Sequence, residues 1–254
     1  MANEHFDFKQ FSIRQDRCAM KVGTDGVLLG AWFSLQPIID TEATTKRYNI
    51  LDIGTGTGLI ALMAAQRANT YNIIYNVDAV EIDASAAQQA RENVLISPWK
   101  EYIKVINASL ADYAYSEEAQ EKKYDVIISN PPFYNATLKP EDEARATARH
   151  KDSLPLSEIT HFAKEHLTDH GELSLIYPTD YDSEVMTAAI IEGLHVIRIC
   201  DVVTKKRKPC KRRMATFALH THPQKDVERQ TLYIRDESGE YTTEYRTLTE
   251  DFYL

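Results

Sequence analysis

The chain is 254 residues long, 43% hydrophobic and 26% charged, with 29 basic against 38 acidic residues and a formal net charge of −9. That is enough apolar content for one large domain or two small ones. No apolar run approaches the roughly 20 residues of a membrane span, and the opening Met1-Ala2-Asn3-Glu4-His5 lacks the charged-then-apolar pattern of a signal peptide.

Cys18, Cys200 and Cys210 form no C-x-x-C pair. This argues against a disulfide framework or a zinc site and fits a reducing cytosol. The basic residues are uneven. Lys205, Lys206, Arg207, Lys208, Lys211, Arg212 and Arg213 fall in one run without a carboxylate, inside an otherwise acidic chain. One concentrated basic patch on an acidic body predicts local contact with a polyanion.

In chain order, Phe6-Asp7-Phe8-Lys9-Gln10-Phe11 alternates as a half-buried strand does. Met20 to Trp32 reads as a turn and then a helix, with Thr24 or Asp25 as the N-cap and Gly23 and Gly26 permitting a tight backbone path near a ligand. Tyr48-Asn49-Ile50-Leu51-Asp52-Ile53 is the first central strand. It runs into Gly54-Thr55-Gly56-Thr57-Gly58 and an apolar helix from Leu59 to Arg67. Strand, glycine loop, helix is a nucleotide-binding arrangement. A dinucleotide fingerprint wants G-x-G-x-x-G/A, and Leu59 occupies its last position. The G-x-G-x-G spacing led by Asp52 is instead the pattern of class I S-adenosylmethionine enzymes.

Val77-Asp78-Ala79-Val80-Glu81 is a second strand ending in a carboxylate, suited to accept ribose hydroxyls. Asp83 is expected to cap a helix over 84–95. Tyr102 to Ile106 is a third strand, with Ser109 just beyond it and near a bound adenine. Residues 112–123 read as a solvated surface segment.

The stretch Asp125-Val126-Ile127-Ile128-Ser129 is a buried strand that stops on Asn130-Pro131-Pro132-Phe133. Proline has no N–H and cannot continue a central strand, so the chain leaves the sheet in a stiff corner at the strand's carboxyl end. There the Asn130 side-chain oxygen and the Pro131 carbonyl are acceptors for both hydrogens of an NH2 group on a flat ring or a carboxamide, and Phe133 offers a ring to lie against.

Residues 134–153, with Arg145, Arg149 and His150, form a long polar connection read as a lid or substrate-gripping loop. A helix follows over 156–167, ended by Gly171. Then come a strand over 171–177, a helix over 180–193, and strands over 195–203 and 214–220 joined by the basic run. The apolar ending Phe252-Tyr253-Leu254 is expected to pack back onto the body.

Taken together, the chain resembles the tRNA1(Val) (adenine-37) N6-methyltransferases. The resemblance rests on Phe8-Lys9-Gln10-Phe11, the stretch Asp16 to Gly26, Leu28-Leu29-Gly30-Ala31-Trp32, Leu51-Asp52-Ile53-Gly54, Ser97-Pro98-Trp99, Ile128 to Pro132, and the ending Leu248-Thr249 with Phe252-Tyr253-Leu254. It covers essentially the whole chain.

It implies an α/β, Rossmann-like class I methyltransferase with a seven-stranded, mostly parallel sheet and helices on both faces. One domain, 1–254, is expected: a cofactor- and substrate-side extension over 1–34, a catalytic core over 46–222 and a C-terminal extension over 223–254. The implied cofactor is S-adenosylmethionine, held by Lys21, Gly23, Thr24, Asp52, Gly54, Thr55, Gly56, Gly58, Glu81, Ser109 and Asn130. Asn130, Pro131, Pro132 and Phe133 would present the target amine. Arg145, Arg149, Lys205, Lys206, Arg207, Lys208, Lys211, Arg212 and Arg213 would hold the tRNA anticodon stem-loop.

A cytoplasmic monomer without metal, membrane or obligate protein partner completes the expectation. Phe133 stands where the family often has Tyr, and Ser109 where it often has an acid. Two alternatives remain: an N5-glutamine protein methyltransferase, which uses the same corner on a carboxamide, and an RNA-binding module that retains the methyl donor without transferring its methyl group.

Overall fold

The computed structural model describes residues 4–18, 21–35, 47–133, 154–224 and 226–254. The lid expected over 134–153, with Arg145, Arg149 and His150, lies outside them.

The centre is built from strands that no water reaches. β3 (Tyr48–Ile53) and β6 (Tyr124–Ser129) are buried at nearly every position. Such uninterrupted apolar runs require helices on both faces of a parallel sheet. β4 (Tyr75–Glu81) and β5 (Ile103–Asn107) extend the sheet on one side of β3. On the other side, beyond β6, lie β7 (Leu167–Pro178), β9 (Arg212–Leu219), β8 (Leu194–Lys205) and β10 (Glu228–Arg235).

The order is β10-β8-β9-β7-β6-β3-β4-β5, with β9 antiparallel to both neighbours and all other pairs parallel. The sheet therefore has eight strands, one more than the seven expected. The tail segment 228–235 docks along the edge of β8.

The crossovers are helical. α2 (Leu59–Thr70) links β3 to β4, and α3 (Ala84–Leu95) links β4 to β5. The short α4 (Leu110–Ala114) and α5 (Glu117–Gln120) precede β6. α6 (Leu156–His166) leads into β7, and α7 (Asp182–Ile191) links β7 to β8. α1 (Thr24–Trp32) packs on α2, and α8 (Thr243–Thr249) closes the tail.

One apolar core lies under α1 and α2 and includes Ile13, Trp32, Met63 and Phe252. A second lies under α6 and α7 and includes Tyr113, Phe162, Leu175 and Val185.

Four local expectations are corrected. Gly171 does not end a helix; α6 runs directly into β7, and Gly171 sits inside that strand where its pairing with β6 slips between Tyr124 and Val126. A Cβ there would lie 2.7 Å from the Tyr124 carbonyl oxygen, so the bulge admits only glycine. Residues 112–123 are not simply solvated. Tyr113 is buried and its hydroxyl donates to Asp78 at 3.0 Å. The N-cap of α1 is Gly23, with no side-chain cap; Thr24 and Asp25 lie inside the helix, and Asp25 pairs with Arg212 at 2.8 Å. Phe252 packs into the core and Tyr253 stacks on Phe8, but Leu254 stays exposed.

The N-terminal hairpin of β1 (His5–Asp7) and β2 (Ser12–Arg14) is tied down at both ends. The Lys9 N–H donates to the Phe252 carbonyl at 2.9 Å. Asn93 of α3 accepts from the Arg14 N–H and donates to the carbonyls of Arg14 and Thr57. Arg17 reaches Gln89 and Glu92 of the same helix.

Candidate active site

The sheet reverses its strand order between β3 and β6, and open α/β sheets bind ligands in the crevice at that point. Ile53 pairs with Ser129, and the Ser129 hydroxyl donates to the Ile53 carbonyl at 2.8 Å. The next residues, Gly54 and Asn130, therefore leave the sheet side by side, one strand spacing of about 4.8 Å apart. The glycine loop and the Asn-Pro-Pro-Phe corner, 76 residues apart in sequence, share one crevice.

The loop's shape comes from beneath. Asp52 is fully buried. It accepts from the Thr55 hydroxyl at 2.5 Å and from the Ala61 N–H at 3.0 Å. Burial raises its pKa to about 7 despite those hydrogen bonds. Asp52 and Thr55, both expected to hold the cofactor, thus also brace the loop from beneath. Gly54, Gly56 and Gly58 all take positive φ, as L side chains rarely do. At Gly56 a Cβ would meet nothing within 4 Å, so the loop faces open space there; at Gly58 it would press on Ala90 at 3.4 Å.

Glu81 joins the loop to α3. One carboxylate oxygen accepts from the Gly56 N–H at 2.8 Å and the other from the Asp83 N–H at 2.9 Å. A carboxylate has about four lone-pair sites, so acceptor capacity remains for ribose hydroxyls. Asp83 caps α3 as expected, accepting from the Ala86 N–H at 2.7 Å. Ser109 caps α4: its hydroxyl donates to the Asp112 carboxylate at 2.7 Å and accepts from the Asp112 N–H at 3.0 Å. Its one donor is used within its own turn, which leaves one acceptor lone pair on the hydroxyl.

Lys21, Gly23 and Thr24 are exposed at the start of α1. That end of α1 lies against the start of α2, where a Cβ on Gly26 would stand 3.0 Å from Leu59. Gly26, two residues beyond Thr24, thus packs against the residue that follows Gly58. Cys18, which the sequence did not single out, lies beside Glu81 and Asp83; burial first and those carboxylates next push its thiol up to about 11, so it stays a protonated thiol.

At the corner, Pro131 is buried, while Asn130, Pro132 and Phe133 are half-buried. Phe133 is tilted against Tyr181 at 5.0 Å and Tyr177 at 6.3 Å, two rings that no motif announced. The Tyr177 hydroxyl donates to Asp182, which also pairs with Arg213 at 2.8 Å. The corner is thereby linked to the basic hairpin between β8 and β9.

That hairpin is less free than its composition suggests. Arg212 is paired with Asp25, and Arg213 with Asp182 and Asp201. Lys205 donates to the Glu237 carbonyl at 2.7 Å, and Arg207 lies 3.9 Å from the Glu237 carboxylate. Lys206, Lys208 and Lys211 are exposed. They are the cations most available to an outside polyanion.

Residues 35–201 match the methyltransferase small domain family. Relatives named tRNA1(Val) (adenine(37)-N6)-methyltransferase align along the whole chain. The protein from Trichodesmium erythraeum is 44% identical, covering 100% of this chain and 99% of its own. That from Bacteroides thetaiotaomicron is 41% identical over the same shares, and that from Aeromonas salmonicida is 39% identical over 99% and 98%.

The chain belongs to this methyltransferase family.

Among solved structures, a predicted O-methyltransferase from Agrobacterium tumefaciens superposes with a TM-score of 0.64 at 16% identity, covering 90% of this chain and 96% of that one. The N-terminal domain of human METTL16 in complex with SAH gives 0.54 at 17%, covering 83% and 76%. These establish the class I methyltransferase fold, and S-adenosylmethionine is its cofactor. The residues here suit it: an open glycine cradle at Gly56 and a carboxylate at Glu81 with acceptor sites to spare. No helix among the described residues is long and apolar enough to cross a membrane.

Proposed function

We propose that the chain transfers the methyl group of S-adenosylmethionine to the exocyclic N6 of the adenine at position 37 of tRNA1(Val). The bound cofactor supplies an electrophilic methyl on a sulfonium. The chain's own residues hold the acceptor. Asn130 and the Pro131 carbonyl accept the two amine hydrogens and so aim the nitrogen lone pair, otherwise delocalised into the ring, towards the methyl group. Phe133 lies along the base.

Leaving the anticodon-loop stack costs the adenine a few kcal/mol, and stacking on an aromatic ring returns roughly 1–3 kcal/mol. Holding the nitrogen and the methyl group in line converts a bimolecular displacement into a unimolecular one, which accounts for much of the acceleration. Lys206, Lys208 and Lys211 contact the phosphates of the anticodon stem-loop. The chain works in the cytoplasm as a monomer, in one domain whose 1–34 and 223–254 extensions flank the 46–222 core.

The observation that supports this reading most is the Ile53–Ser129 register, which sets the amine-binding corner one strand away from the glycine loop. The test is transfer from labelled S-adenosylmethionine to an anticodon stem-loop of tRNA1(Val), with the same RNA carrying guanine at position 37 and a glutamine-bearing release-factor peptide in parallel. The expected result is N6-methyladenosine from the adenine RNA alone. Label on glutamine, or equal label in both RNAs, overturns the reading.

A further inference from the structure

A cavity of about 220 Å³ lies at the far end of α1 from the active-site crevice, lined by Trp32, Phe33, Arg67, Tyr71, Arg198 and Leu248 among others. α1 sets the separation. Its first turn is held at Arg212, level with Pro178 at the carboxyl end of β7. Its last residue, Trp32, lies under Arg198, which is level with Glu228 at the first position of β10. Nine residues at 1.5 Å rise put about 13 Å between the two ends.

Two guanidinium groups converge on this cavity, each laid over an aromatic ring. Arg67 stands 4.3 Å from the Phe33 ring centroid and Arg198 4.1 Å from that of Trp32. Among the described residues both donate to backbone carbonyls: Arg67 to Phe33 at 2.8 Å and Gly30 at 3.3 Å, and Arg198 to Trp32 at 3.0 Å. A guanidinium carries five donors, so most remain unspent.

The Trp32 indole N–H, on the same wall, is buried and has no acceptor among the described residues. Carboxylates are near but do not close the pairs. Glu172 and Glu228 influence Arg198, and Asp251 influences Arg67, yet none forms an ion pair with either among the described residues. Two half-buried cations facing each other repel, and desolvation adds to that cost. Burial, together with Arg198, draws Arg67 down to about 10.

We propose that this cavity is an anion site that takes a phosphate group between Arg67 and Arg198. Paired planar forks match phosphate oxygens two at a time. The volume is below the roughly 300–1,000 Å³ of pockets that swallow a whole organic ligand, so the site holds the phosphate itself and leaves whatever carries it outside. Tyr71, 55% exposed at the rim, is the surface such a carrier would meet. The phosphate comes either from a nucleic-acid backbone or from a free small anion.

The test titrates the full-length protein with inorganic phosphate, followed by ³¹P line broadening and by melting temperature. Wild type should show saturable broadening and a rise in melting temperature. Arg67→Lys and Arg198→Lys keep the charge but lose the fork, and should weaken phosphate binding by about tenfold. Tyr71→Glu places a carboxylate at an exposed position on the rim and should do the same without disturbing packing. Lys206→Gln/Lys208→Gln in the hairpin should leave the phosphate response unchanged.

Unaltered S-adenosylmethionine binding in each variant certifies the fold and separates this question from that of methyl transfer. If the arginine variants also bind tRNA more weakly, the phosphate belongs to RNA; if tRNA binding is untouched, the ligand is a free anion. No saturable response in wild type, or one equal in wild type and all three rim and arginine variants, overturns the proposal.

Discussion

The Gly56 N–H points at the Glu81 carboxylate, 2.8 Å away, so the residue that closes the glycine loop is also the one we propose to accept ribose hydroxyls. On that proposal, loop shape and cofactor grip depend on one carboxylate. Glu81→Ala should weaken S-adenosylmethionine binding by at least tenfold, since a hydrogen bond to a charged group is worth about 1.5–3 kcal/mol. Glu81→Gln, which keeps an acceptor, should lose less. Calorimetric titration of the cofactor checks both.

Asn130 makes a different prediction, because its main proposed role is to hold the acceptor amine. Asn130→Ala should lower kcat by a hundredfold or more, about 2.7 kcal/mol or more of lost transition-state stabilisation, with the cofactor Kd nearly unchanged. Single-turnover methylation of the stem-loop, run beside cofactor titration, separates the two effects. Near-normal turnover would remove Asn130 from its role.

Replacing Lys206, Lys208 and Lys211 with Gln should leave the melting temperature within a degree or so, since these residues are exposed. The slope of log Kd for tRNA against log salt should become shallower by about 0.7–0.9 for each phosphate that the hairpin no longer neutralises. An unchanged slope would take the hairpin out of the RNA interface. Substituting Arg212 or Arg213 is a poorer probe, because their partners Asp25, Asp182 and Asp201 would be disturbed as well.

Glu172 predicts the pH dependence of stability. Burial lifts its folded pKa to about 7, against 4.5 for the free group. Between those values the folded state binds more protons than the unfolded state, so this residue's contribution is complete below about pH 4.5 and declines as pH rises through 7. Urea denaturation of wild type and Glu172→Gln across that range should show wild type losing stability relative to the variant with rising pH, by about 3 kcal/mol. A difference that is flat with pH would contradict it.

Asp78, nearly buried, is held by Lys122 at 2.5 Å and by the hydroxyls of Tyr124 at 2.6 Å and Tyr113 at 3.0 Å. Removing one partner leaves a charge in the core. Lys122→Met should cost about 3 kcal/mol without changing the cofactor Kd, as chemical denaturation and titration would show. This cluster lies away from the crevice and serves the packing of α4 and β6.

Much of the crevice can be read from the sequence because its parts are local. A glycine loop between strand and helix, an acid at a strand end and an Asn-Pro-Pro corner each declare themselves within ten residues. Interactions that close long loops do not. Gly171 reads as a helix stop because nothing near it reveals the slipped register opposite Tyr124. The basic run reads as uniformly available, yet Asp25, the partner of Arg212, is 187 residues away. Segment 112–123 reads as solvated because its charges outnumber Tyr113 and Ala119, the two side chains that anchor it. Edge strand β10 is exposed at most positions, so it carries little apolar signal to announce an eighth strand.

The bond from the Lys9 amide to the Phe252 carbonyl also has a meaning in time. The N-terminal hairpin that leads into Cys18 and Thr24 is synthesised about 240 residues before Phe252 and stays without this tether until that residue follows. A nascent chain should therefore acquire the centre of its sheet before it acquires a firmly seated entrance to the crevice, and methylation should switch on only once Phe252 has been made and docked.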